Sequence, residues 1–279
     1  MFTYTFLLAD ILIRVRVPVP LSFSETVSLF LVESRDVDLT IDFAPSTDVP
    51  NLIDKPLYVG TGLQFYRQEN KYITTYSYYH SDIYTWSYGQ NIIYYQPHLL
   101  SKLFQYADLL NLLSLESILL RFQSFMLHAS YIEYHNEAIL FSAPSGTGKS
   151  TQASLWEAHA GAKIINGDRA LLRKRDNTWF SHGSPFCGTS GISHPTSLPI
   201  KAIFILRQGQ KNHTRLLSPA EAVLYLFSET ITHIWDEEAK SVILSLLEHL
   251  VATVPIYFYE CLPLPDAVYY IQKMWEETC

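Results

Sequence analysis

Residues 1 to about 98 read as β-rich, with apolar positions recurring at every second residue in two stretches. Ile11 to Val19 sets apolar side chains against arginines and prolines, and Val37 to Phe43 sets them against aspartates. That is the period of a strand with one buried face. Met1 to Pro20 reads as a buried strand and not as a signal peptide. Asp10 lies inside it, no basic segment opens it, and Arg14 and Arg16 stand where a cleavage site would fall. Between Tyr66 and Tyr95 lie nine of the nineteen tyrosines, in runs broken at His80-Ser-Asp and Gly89-Gln-Asn, the pattern of a hairpin or meander. Two uses of these rings stay open: cross-strand pairs of high β-propensity, or an aromatic surface that grips a peptide or protein.

At Pro97 the period changes. Leucines at 99, 100, 103, 109, 110, 112, 113, 115, 119 and 120 follow helical spacing, predicting one or two helices to about Met126. Beyond it, strand-like and helical segments alternate. Ala138 to Ser142, Lys163 to Ile165, Ala170 to Leu172, Ile200 to Leu206 and Ile256 to Tyr259 are the strand candidates. Ser218-Pro-Ala-Glu221 is a capping box with proline at the first helical position, Asp236 is a second cap, and a last helix runs from about Pro265 to Glu277. The expected organisation is a β-rich domain over residues 1–100, a helical connector over 101–127 and an α/β nucleotide-binding domain over 128–279.

Composition narrows the classes. With 48% hydrophobic and 17% charged residues in 279, the chain has the makings of a core and not of a disordered polyampholyte. The net charge of −7 divides as −4 before His128 and −3 from there on. This argues against a broad basic surface for nucleic acid or anionic lipid, so any bound anion must be held locally. The three cysteines, Cys187, Cys261 and Cys279, are far apart and in no C-x-x-C spacing, which suggests neither a zinc cage nor a disulfide framework and points to a reducing cytoplasm. The apolar tract Leu109 to Leu120 is too short and too interrupted for a membrane helix.

The most informative stretch is Ala138-Ile-Leu-Phe-Ser-Ala-Pro-Ser-Gly-Thr-Gly-Lys-Ser-Thr151: an apolar strand, a glycine turn, and a helix that Gly161 stops. It has the form of a phosphate-binding P-loop over Ser145, Gly146, Thr147, Gly148, Lys149, Ser150 and Thr151. The glycines let backbone amides turn inward as an anion nest, and the helix start adds free N–H groups and the positive dipole end. Lys149 can reach the terminal phosphates of a nucleotide, and the Ser150 hydroxyl can coordinate Mg²⁺. The first glycine of the G-x-x-x-x-G-K-[ST] pattern is here Ala143.

His128-Ala-Ser130, the strand pair broken at His135-Asn136, this loop, and Ile164-Ile-Asn-Gly-Asp-Arg169 together resemble the catalytic domain of HPr kinase/phosphorylase and its phosphoenolpyruvate carboxykinase relatives. The likeness spans about residues 120 to 210. It is strongest to the HPr-kinase-like serine kinases, some of which modify lasso-peptide precursors. The resemblance implies an α/β P-loop domain that uses ATP and Mg²⁺ to phosphorylate a serine or threonine hydroxyl of a peptide or small protein. It also implies self-association, since relatives form hexamers. In the family a histidine assists an aspartate that acts as general base, and a downstream carboxylate holds the metal; His128 and Asp168 occupy the matching places, with Lys149 on the phosphates and Ser150 and Asp168 as metal ligands. The family's two adjacent aspartates are here Gly167-Asp168 or Asp168-Arg169, so one carboxylate role is missing or supplied elsewhere. A nucleotide-binding sensor or carrier without transfer activity is the alternative of a different class, and a carboxykinase acting on a small oxoacid is the third reading.

Several neighbours carry two readings each. Asp168 is a site carboxylate or the turn residue of an Asn-Gly-Asp hairpin, and His128 an active-site group or a core histidine. Arg169 contacts phosphate or belongs to a charged strand edge with Arg173-Lys174-Arg175, a trio read as a hairpin end. His182 to Gly191 faces the acceptor or is a surface connection. Cys187 is read as inert. Arg207 is a weaker candidate at a strand end.

Overall fold

A computed structural model of the chain describes residues 1–48, 55–60, 63–68, 71–78, 81–87, 91–106, 109–232 and 236–277. It is a mixed α/β protein with two compact units, Met1–Phe23 with Leu31–Ile118, and Ser24–Phe30 with Leu119–Cys279. No helix among the described residues is long and apolar enough to cross a membrane.

The first unit opens with a hairpin. The amino-terminal segment read as one strand is a hairpin of β1 (Phe2–Leu8) and β2 (Ile11–Val17). Ala9 and Asp10 form its turn with φ of 51° and 57°, the paired positive φ of a type I′ turn, reached here without the glycine that usually announces one. A short helix, α1 (Glu25–Ser28), is capped by the Ser24 side chain and belongs to the segment grouped with the second unit. β3 (Leu39–Pro45) runs parallel to β2. The tyrosine-rich region follows β4 (Tyr58–Gly60) as β5 (Leu63–Gln68), β6 (Lys71–Tyr78), β7 (Ser81–Ser87) and β8 (Ile92–Tyr95). The strands pair successively and antiparallel, as a meander should. The predicted breaks at His80 and Gly89 lie outside the described residues. The sheet order is β1-β2-β3-β8-β7-β6-β5-β4. Ile11, Ile13, Val15 and Val17 are fully buried, whereas Arg14 and Arg16 between them are not, the alternation expected of a strand with one core face.

A 3₁₀ turn at Pro97–Leu99 leads into α2 (Leu100–Tyr106), α3 (Leu109–Leu112) and α4 (Leu115–Arg121). The helical reading to Met126 overran: the chain leaves the helix after Arg121, turns at Gln123 with φ of 53°, and enters β9 (Ser124–Tyr134). The run Phe125-Met-Leu is apolar at every position, so periodicity alone does not separate helix from strand there.

The rest of the second unit alternates as expected: β10 (Glu137–Ser142), α5 (Lys149–Ala160), β11 (Lys163–Asn166), β12 (Arg169–Arg175), β13 (Thr178–His182), β14 (Ser197–Gln208), β15 (His213–Leu216), α6 (Pro219–Glu229), β16 (Thr230–Ile231), α7 (Glu237–Val251), β17 (Ile256–Cys261) and α8 (Asp266–Glu276). Ser218 and Glu221 make the reciprocal capping box, Asp236 caps α7, and Gly161 ends α5 in the left-handed region. The sheet order is β10-β9-β12-β13-β14-β17-β15, with β10 also pairing β14, and with β11 and β16 each pairing β9. β10 and β14, and β14 and β17, are parallel. Leu140, Ile203 and Ile205 belong to a core with Leu226 of α6 and Leu247 of α7. Their chain neighbours Phe141, Phe204 and Leu206 belong to another core with Trp156 of α5 and Ile271 of α8. Successive residues of β10 and β14 are thus buried on opposite faces, which explains why these strands read as unbroken apolar runs.

Candidate functional site

β10 delivers the chain from this core into the glycine turn. Ala143, in place of the pattern's first glycine, is fully buried, where a small side chain packs without disturbing the turn. Gly146 and Gly148 have φ of 80° and 116°, and Gly148 is the residue preceding α5. A Cβ at either would meet nothing within 4 Å, so the backbone angle and not the space demands glycine. Lys149 is buried, and its Nζ donates to the carbonyl oxygens of Ala143 at 2.7 Å and Pro144 at 3.3 Å. Burial pushes the pKa of its ammonium down, opposed by the charges of Glu229 and Asp168. Ser145, Ser150 and Thr151 are exposed and Thr147 is half-buried. Gln208, at the end of β14, donates from Nε2 to Gly146 O at 3.3 Å, a contact the sequence reading missed while it weighed the neighbouring Arg207.

The second part of the site is a break in strand pairing. β11 and β12 both pair with β9, in succession, so Asn166-Gly-Asp168 joins two strands along one partner. The hairpin reading of this tripeptide is therefore wrong. The fully buried Asn166 organises it: Oδ1 accepts from Asp168 N at 2.9 Å and Arg169 N at 2.8 Å, and Nδ2 donates to Ser184 O at 2.8 Å. Asp168 is thereby set beside His128 of β9, with His128 Nε2 3.4 Å from Asp168 Oδ1. The hydrogen bond from His128, more than any other contact, holds the Asp168 carboxyl below the usual range. Arg169 Nε lies 3.3 Å from Asp168 Oδ2, and its guanidinium lies 4.8 Å from the Phe186 ring centre, so Arg169 belongs with this turn. Arg173, Lys174 and Arg175 lie further along β12 in a hairpin with β13, as read. Ser142 Oγ donates to His128 O at 2.9 Å, so the histidine stands at the end of β10 where the glycine turn begins.

The loop from His182 to Gly191 is packed against this break and is no loose connection. A Cβ on Gly167 would come within 2.1 Å of Ser190 Oγ, and one on Gly188 within 2.9 Å of the Asp168 side chain. A second aspartate at 167 therefore has no room while Ser190 keeps its place. Cys187 in this loop and Cys261 at the end of β17 are both free thiols.

A carboxylate that the sequence reading did not find stands on the other side of the histidine. Glu229 Oε2 is 3.2 Å from His128 Nδ1, and its side chain is 11% exposed. It is the last residue of α6, and Thr230 and Ile231 then pair with Leu127 and Met126 of β9, placing Glu229 next to His128. The capping box announced the start of α6, but a strand pairing across about a hundred residues leaves no local mark. Among the described residues no group of three or more His, Cys, Asp or Glu side chains is disposed to hold a metal ion.

No family model matches the chain, and no curated protein matches it. Among solved structures the chain is similar to the HPr(Ser) kinase/phosphatase from Coxiella burnetii, with a TM-score of 0.30 and 11% identity over 54% of this chain and 98% of that one. A likeness at this level transfers no residue's role, and the chemistry of the site rests on its own side chains.

Proposed function

We propose that the second unit is an ATP- and Mg²⁺-dependent phosphotransferase that moves the γ-phosphoryl group to a serine or threonine hydroxyl of a peptide or small protein. The observation that carries this reading is the meeting, at one end of β10, of a left-handed glycine turn, a buried lysine and a histidine–carboxylate pair. The turn over Ser145 to Gly148 offers backbone N–H groups, and the start of α5 at Lys149, Ser150 and Thr151 offers more, to phosphate oxygens. Lys149 gives up its two carbonyl acceptors for the phosphates and adds a charge that burial keeps poorly screened. The Ser150 hydroxyl and the Asp168 carboxylate are hard-oxygen donors that suit Mg²⁺ when phosphate oxygens complete the set, as usual for a metal that arrives with its nucleotide. Bound there, Mg²⁺ would neutralise charge on the phosphates. The acceptor oxygen forms its bond to the γ-phosphorus as the bond to the β–γ bridging oxygen breaks and ADP leaves. The hydroxyl proton passes to the Asp168–His128 pair, which the Asn166 turn and β9 hold in place.

The test is incubation of the full chain with γ-labelled ATP, Mg²⁺ and a pool of candidate peptides and small proteins, alongside Lys149→Ala and Asp168→Asn. Label is expected on a hydroxyl with wild type, and transfer reduced on the order of a hundredfold or more in either variant. Lys149-dependent ATP binding with no transfer to any acceptor would favour the sensor or carrier reading, and transfer undiminished in both variants would refute the site assignment.

A further inference from the structure

His128 has a carboxylate at each ring nitrogen, Glu229 Oε2 at 3.2 Å from Nδ1 and Asp168 Oδ1 at 3.4 Å from Nε2. A neutral imidazole donates to one of them and an imidazolium to both, and in either form Nδ1 carries the hydrogen wherever Glu229 has its donor. The two carboxylates differ in what else they have. Asp168 is 29% exposed on its side chain and lies beside Arg169 Nε as well. Glu229 is 11% exposed, and among the described residues His128 is the partner within bonding distance of its carboxylate. A carboxylate removed that far from water needs a donor more than one that keeps water and a guanidinium. The shorter distance also favours Glu229.

We propose that Glu229 is the positioning residue of this site: it accepts a hydrogen bond from Nδ1–H of His128, and so fixes the orientation of the ring with Nε2 turned to Asp168. The inference rests on the phosphotransferase reading for its purpose, since Glu229 orients the histidine that assists Asp168 in that reading. The fold gives it the rigidity that the role needs. Thr230 Oγ1 donates to Leu226 O at 2.8 Å at the end of α6, and the pairing of Thr230 with Leu127 holds Glu229 one residue away, beside His128. The histidine's own backbone is fixed by Ser142 Oγ and by its pairing with Arg169. Both partners of the hydrogen bond are therefore held by secondary structure and not by a flexible loop.

The test reads the ring directly. The full chain is labelled with ¹⁵N-histidine, and ring nitrogens are observed by long-range proton–nitrogen correlation, with the His128 signals identified by their loss in His128→Asn. The expected wild-type ring has a protonated Nδ1. Glu229→Leu shifts the proton away from Nδ1, and Glu229→Gln, whose amide oxygen can accept the same bond, retains it. In the transfer assay Glu229→Leu lowers kcat on the order of a hundredfold while KM for ATP changes less than about threefold, and Glu229→Gln recovers most of the loss. A wild-type Nδ1 without a proton, or a ring signature unchanged in Glu229→Leu, overturns the proposal. The wild-type spectrum alone decides the first of these even where the leucine variant fails to fold. The signature without any phosphoryl transfer would refute the transferase reading and leave the hydrogen bond standing, whereas transfer with an unprotonated Nδ1 would do the reverse.

Discussion

The two sheets of this protein treat polar side chains differently. In the first unit, Thr5 and Thr75 are the buried polar residues among those described; the second buries eleven, from Ser124 to Thr230. Six of these eleven, Ser130, Ser142, Lys149, Asn166, Ser184 and Ser193, make hydrogen bonds at or around the glycine turn and the Asn166 break. An alternating strand can leave its polar side chains in water and needs no partners for them. A strand buried on both faces must satisfy every polar group within the protein, at a cost of about 1–3 kcal/mol for each one left unpaired. Such groups are kept where they hold a backbone in a conformation that regular pairing does not supply, and here they hold the residues of the candidate site.

The sharpest way to break this comparison is to truncate adjacent residues in each sheet. In β14, Ile203→Ala and Phe204→Ala should both be costly, by about 2–5 and 3–5 kcal/mol respectively, because the neighbours pack into opposite cores. In β2, Val15→Ala should be costly and Arg16→Ala nearly silent, since Arg16 faces solvent beside Asp42. Urea unfolding of the full chain, followed by circular dichroism and by the fluorescence of the buried Trp156 and Trp179, checks all four. Two silent neighbours in β14 would show that its second face is not a core.

A smaller effect tests the packing of the loop on the break. Gly167→Ala should destabilise the second unit by about 1–3 kcal/mol through overpacking against Ser190, and Ser190→Gly in the same chain should recover much of that loss. Additive costs in the double variant would mean that Ser190 is not what excludes a side chain at 167.

The smallest effect concerns pH. Burial pushes the Cys261 thiol up to about 11, so the folded state disfavours the thiolate that the unfolded chain forms earlier. The stability this contributes is complete below the thiol's ordinary range and is lost as pH rises through about 9 to 11. Cys261→Ala should flatten that part of the stability profile. Thiol labelling should modify the half-buried Cys187 ahead of the buried Cys261, and the reverse order would contradict the packing of β17.

The sequence made the local pieces legible where their chemistry is local. Ser218-Pro-Ala-Glu221 and Asp236 announced two helix starts, Gly161 a helix end, and Gly146 with Gly148 a left-handed turn, because each acts within four residues of itself. The errors have two causes. Ala9-Asp10 turns a hairpin without glycine, Gln123 ends a helical region with no breaker, and Asn166-Gly-Asp168 has the composition of a hairpin but joins two strands on one partner. At Gln123 and at Asn166-Gly-Asp168 the decisive pairing lies elsewhere in the chain, whereas the Ala9-Asp10 hairpin is local and lacks the glycine that marks such a turn. His128 and Asp168 were legible as a pair through the resemblance; their geometry depends on Asn166, Ser184 and Ser142, none of which stood out.

By itself the sequence determined the alternation of strand and helix after residue 128, the glycine turn, and the side chains available to it, since these follow from backbone preferences and hydrophobic periodicity. Only the tertiary structure decided that β9 would gather β10, β11, β12 and β16 around it. That assembly brings a lysine, a histidine and two carboxylates to one sheet end from positions spread between residues 128 and 229. The physical reason is that periodicity records which face of a strand is buried, whereas the choice of neighbouring strand is settled by the packing of the whole core.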